Sequence, residues 1–129
     1  MYLLINTSEK DSISLTIFKG AFVEQKNYPA HNRELLVSIT NFLEVSNLGV
    51  HDVEGIAVVV GFGSFTSTRI GTTVANTWAY SQKIPVIAVN LEEAGDLTVL
   101  EQKLLKTQPE ILISATYSGE PNIGKSAEK

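Results

Sequence analysis

The chain has 129 residues, of which 43% are hydrophobic and 19% charged, enough for one domain with a real core. Its net charge is −4 and its basic residues are scattered, which argues against strong direct binding to nucleic acid. Cysteine is absent, so disulfides and thiolate metal sites are excluded, and the apolar runs have strand length, too short to cross a bilayer. The opening, MYLLINTSEK, has no charged leader, so no secretory signal is expected and a cytoplasmic location is.

Residues 2–6, YLLIN, form a continuous apolar run and read as a buried central strand. SISLTIF (12–18) alternates, with Ile13, Leu15 and Ile17 on one face, and KG then turns the chain into a third strand, AFVEQK (21–26). The period changes after Asn32, a candidate N-cap: Leu35, Leu36, Ile39, Phe42 and Leu43 follow helical spacing, and Gly49 stands where a left-handed terminator is wanted. GIAVVVG (55–61) is apolar on both faces, as a strand covered by helices should be. Thr66 or Ser67 is placed to cap a second helix ending near Gln82, and IPVIAV (84–89) is a further buried strand. Asp96 caps a third helix with Leu97, Leu100, Leu104 and Leu105 turned inward, and EILISA (110–115) reads as a last, weaker strand.

A three-strand meander followed by strand–helix units implies a mixed five-stranded sheet. With the apolar first strand central and right-handed crossovers, the spatial order is 3-2-1-4-5 with helices on both faces. This is an α/β fold of the ribonuclease H-like kind, as in each lobe of the actin-like ATPases. One lobe is expected over 1–115, followed by a polar tail over 116–129.

Between the strand at 55–61 and the second helix runs GFGSFTSTRIG. A glycine loop at a helix N-terminus can hold an anion on free N–H groups, with Arg69 adding charge. The Walker pattern fails, because no lysine follows, and the dinucleotide pattern matches only at Gly61 and Gly63, with Thr66 in the third position. Locally, a structural turn is favoured over an anion site.

The longer segment carries more. Gly61, Gly63, Ser64, Phe65, Thr66, Arg69, Ile70 and Gly71 match, position by position, the loop of the TsaB (YeaZ) family, which the chain resembles from residue 1 to about 95. LINTS (4–8) and HNRELLVSITNFL (31–43) extend the resemblance. It implies an actin-like fold and a non-catalytic role in making threonylcarbamoyladenosine on tRNA, alongside a catalytic TsaD subunit and a TsaE-type ATPase. Two departures weigh against catalysis. Asn6 stands where the family has an aspartate, and an uncharged amide is a poor magnesium ligand. The second lobe of the family is also not expected in a chain of this length.

Other chemistry is sparse, and no cofactor or metal is implied. His31 and His51 read as a residue before a helix and a residue in a polar turn; Glu92 and Glu93 read as a helix start. Ser64 lacks the G-x-S-x-G context of a nucleophile. On the second helix, Ile70, Val74, Thr77 and Ser81 share a face, Gly71, Ala75 and Ala79 form an adjoining stripe of small residues, and Trp78 lies between them. The stripe is either core or a close contact for another subunit, with Val37, Asn41 and Val45 of the first helix extending the patch. In the second case four helices from two subunits make a bundle, with a TsaD-type partner or a second copy. The rival readings are a small nucleotide-binding phosphotransferase or ATPase using the loop from Gly61 to Gly71, and a self-associating domain with no role in tRNA modification.

Overall fold

The first strand, β1 (Tyr2–Asn6), is buried along all but its last residue because it lies in the middle of a five-stranded sheet. The computed structural model describes residues 1–8, 12–29, 35–60, 65–109, 111 and 113. The other strands are β2 (Ser12–Lys19), β3 (Phe22–Pro29), β4 (Gly55–Val59) and β5 (Val86–Val89), in the spatial order β3-β2-β1-β4-β5. β1 pairs antiparallel with β2 and parallel with β4, and β5 adds parallel to β4. This mixed sheet is the ribonuclease H-like arrangement.

Side-chain alternation divides the core between the two faces of the sheet. On one face Leu3, Ile5, Ile13, Leu15, Ile17, Ile56 and Val58 meet helices α1 (Leu35–Val45) and α2 (Phe65–Gln82). On the other, Tyr2, Leu4, Phe18, Ala57, Val59 and Val89 meet helix α3 (Leu97–Lys106) through Leu100 and Leu104. A helix covers only part of a sheet, so β3 is left exposed except at Tyr28. Lys26 and Pro29 stand on this strand, residues that discourage further strand pairing at an edge.

Helix ends follow local chemistry. Asp96 caps α3, its carboxylate accepting from the Val99 N–H at 3.2 Å. The first helix ends differently from the sequence expectation: Asn47, not Gly49, takes the left-handed conformation, with φ 61°. The Leu48 N–H then reaches the Leu43 carbonyl at 2.8 Å and the Asn47 N–H the Glu44 carbonyl at 3.1 Å, a paired closure that satisfies two terminal carbonyls. Gly49 has φ −101° and starts the 3-10 turn Val50–Asp52, where its N–H donates to Asp52 Oδ2. Lys83 closes α2 in the same left-handed way, with the Ile84 N–H on the Ala79 carbonyl, so β5 starts at Val86 rather than at 84.

Three further expectations are corrected. The third strand runs over Phe22–Pro29, three residues beyond the run read from the sequence. Leu36 and Leu105 are not core residues: they are 60% and 67% exposed, because each lies to one side of the arc its helix turns to the sheet. Thr66 and Ser67 do not precede α2, which already begins at Phe65, so Arg69 lies in its second turn. Of EILISA only Ile111 and Ile113 are described, neither in a strand, and the rest of that segment lies outside the described residues.

A candidate partner groove between two helices

α1 and α2 lie side by side on one face of the sheet, and between them runs an open groove of about 580 Å³. Leu36, Thr40 and Glu44 line it from α1; Thr73, Thr77 and Ser81 line it from α2; Trp78 and Leu43 also contribute. The walls mix apolar carbon with small hydroxyls, and on α2 the short Thr73, Thr77 and Ser81 stand among the larger Val74, Trp78 and Gln82. Trp78 is half-buried, and its indole Nε1 is buried with no hydrogen-bond acceptor among the described residues.

The small stripe turns out to face the sheet. Ala75 and Ala79 are 0% and 1% exposed and belong to the core beneath α2. A Cβ added at Gly71 would stand 3.7 Å from Thr7 Oγ1 and from Val58 Cγ1, so this part of the helix rides directly on the sheet. Gly71, Ala75 and Ala79 therefore cannot also be a subunit contact. The physical reason is space: branched side chains on the sheet fill the interface, and only small residues let a helix come this close. The patch expected on α1 is also divided. Val37 and Val45 are exposed, but neither they nor Asn41 line the groove. Asn41 instead accepts a 2.7 Å hydrogen bond from the Tyr28 hydroxyl on β3. Of the seven positions expected at an interface, only Trp78 lines the groove.

The glycine-containing segment lies between β4 and α2 in the chain. Gly61, Gly63 and Ser64 lie outside the described residues, as does His31; Thr66 and Arg69 lie in α2, and Arg69 is exposed. Asn6, at the end of β1, accepts on its Oδ1 from the Ser8 N–H, 2.9 Å away. His51 is exposed in the 3-10 turn.

Glu93 has a structural task. Its carboxylate accepts from the Asn90 N–H at 2.9 Å while the Asn90 side chain accepts from the Glu93 N–H at 2.7 Å, and Lys103 pairs with the second oxygen. The Lys103 hydrogen bond and then the Asn90 N–H hold this carboxyl below the usual carboxylate range. Among the described residues no three acidic or histidine side chains gather around a common point as a metal site would require.

One contact had no sequence signal. The Asn76 carboxamide, on α2, donates to the Ile113 carbonyl at 2.9 Å and accepts from the Ile113 N–H at 3.0 Å. A side-chain amide thus pairs with a main-chain amide much as a neighbouring strand would, and Ile113 packs against the core. Asn76→Leu is expected to remove both bonds, cost about 1–3 kcal/mol and speed hydrogen exchange at the Ile113 amide. Exchange at wild-type rates in that variant would show that the pairing is not made in solution.

Comparison with known proteins agrees with the loop sequence and the sheet order. The family model for TsaD, tRNA N6-adenosine threonylcarbamoyltransferase, matches residues 9–119. The chain is 34% identical over 79 residues to the tRNA N6-adenosine threonylcarbamoyltransferase of Wigglesworthia glossinidia brevipalpis, covering 61% of this chain and 23% of that protein. It is 28% identical over 90 residues to the tRNA threonylcarbamoyladenosine biosynthesis protein TsaB of Haemophilus influenzae, covering 68% of this chain and 38% of the relative. The solved structure of YeaZ from Pseudomonas aeruginosa superposes with a TM-score of 0.62 at 25% identity, over 69% of this chain and 44% of YeaZ. The chain thus spans less than half the length of these relatives. A family match over most of the chain, on a sheet of the same order, settles kinship: the chain belongs to the family of tRNA N6-adenosine threonylcarbamoyltransferase (TsaD), with the TsaB/YeaZ proteins among its relatives.

Proposed function

We propose that this protein is a non-catalytic, TsaB-like subunit in the formation of threonylcarbamoyladenosine on tRNA, working in the cytoplasm. It pairs there with a TsaD-type transferase, and a TsaE-type ATPase joins the pair. The observation that carries the reading is the groove between α1 and α2, whose lining includes Leu36, 60% exposed, and the half-buried Trp78. Exposed apolar surface of this kind, with an aromatic anchor, is what a protein partner covers. The TsaB and TsaD names of the relatives support a TsaD-type protein as that partner.

Asn6 supports the non-catalytic half of the reading. Its side chain is uncharged and its oxygen is engaged by the Ser8 N–H, so it is a poor group for placing a phosphate-bound cation. The test is to mix the protein with the TsaD-type transferase of the same genome and measure binding by calorimetry, with ATP turnover assayed on the protein alone. A stoichiometric complex and no turnover by the isolated chain are expected. Failure to bind the transferase, or turnover that disappears with Arg69→Ala, overturns the reading.

A further inference from the structure

Glu44 is the one ionisable side chain among the described residues that line the groove. It does not stand at one end. Along α1 it follows Leu36 and Thr40 at four-residue steps, in the last turn of the helix, and the lining continues past it through Leu48, Gly49 and Val50 of the chain that follows. No lysine, arginine or histidine among the described lining residues answers it. In the isolated protein this has little consequence, because Glu44 is exposed and hydrated. The situation changes once a second surface closes over the groove. A carboxylate enclosed with no partner is strongly unfavourable, and one met by a basic group is not.

We propose that Glu44 is the specificity determinant of this surface: it selects a helical partner that brings a lysine or arginine to the groove, and it disfavours a second copy of this chain. The inference rests on the groove being the partner surface of the proposed function. A symmetric pair of copies is self-complementary, so each copy would close its groove on the same wall of the other. Both Glu44 carboxylates would then be enclosed, and the described lining supplies no cation to either. Charge complementarity separates the two occupants. An apolar partner ridge with one basic side chain satisfies the groove, and a duplicate of the groove does not.

The test uses Glu44→Gln and Glu44→Lys, at an exposed helix position where both residues are good helix formers. Circular dichroism and melting are first checked against the wild type. Calorimetry with the TsaD-type transferase is expected to show binding weakened at least about tenfold by Glu44→Gln and abolished by Glu44→Lys. Sedimentation of each protein alone is expected to show the reverse order for self-association, with Glu44→Gln dimerising at concentrations where the wild type is monomeric. Binding of the transferase by Glu44→Gln at wild-type strength overturns the proposal, as does a wild-type dimer as tight as that of the variant. If the wild type does not bind the transferase, the proposed function fails, and the sedimentation series still decides whether Glu44 opposes self-association.

Discussion

Ala79→Glu is expected to remove most of the stability of the domain. Ala79 is 1% exposed and sits between α2 and the sheet, in the cluster that contains Ile5, Val58 and Val86. Glutamate there adds volume where the helix already rides close, and it carries a charge with no described cation within the surrounding apolar cluster. An unpaired buried charge costs on the order of 3–5 kcal/mol, and overpacking adds about 1–3 kcal/mol. Domains of this size are stable by about 5–15 kcal/mol, so most of the margin is consumed. Thermal and urea melts followed by circular dichroism measure the loss. A variant that melts with the wild type would mean that α2 presents its small stripe to solvent.

The complementary variant lies two residues away. Thr77 is exposed and forms part of the α2 wall of the groove. Thr77→Arg should leave stability within about 0.5 kcal/mol, because Thr77 is exposed and arginine favours the helix. Its effect on association should be large. A long side chain would fill the groove beside Trp78 and place a cation near Glu44, removing both the space and the charge that a basic partner needs. At the centre of an interface such a change costs several kcal/mol, a loss on the order of a hundredfold or more in affinity for the TsaD-type transferase. Calorimetry on the purified pair reads it directly, and undiminished binding would place the contact elsewhere on the protein.

Much of the fold is legible in the order of the amino acids. The strand runs at 2–6, 12–18 and 55–61, the change of period after Asn32 and the capping aspartate at Asp96 are local signals, and each marks an element that forms. The order 3-2-1-4-5 follows from them, because a run apolar on both faces must be central and a crossover must be right-handed. The family kinship is equally legible, since its most specific signal is eight positions within the short stretch from Gly61 to Gly71, from which only Phe62, Ser67 and Thr68 depart. The helix terminator is not: Gly49 and Asn47 are both able to adopt the required conformation, and the choice depends on which carbonyls the next two N–H groups can reach.

The interface residues are the least legible. An apolar-plus-small arc covering half of α2 states that the helix is buried on one side, but not which part of the arc meets the sheet. The sheet decides that, because its branched side chains admit Gly71, Ala75 and Ala79 and push the larger Val74 and Trp78 toward α1. The groove itself belongs to neither helix, since its walls come from separate stretches of the chain and meet only when both helices pack on one face. Periodicity and caps act within a few residues and can be read from the chain alone. The orientation of α2, the Asn76–Ile113 pairing and the setting of Glu44 arise from contacts between distant segments, and only close packing in three dimensions determines them.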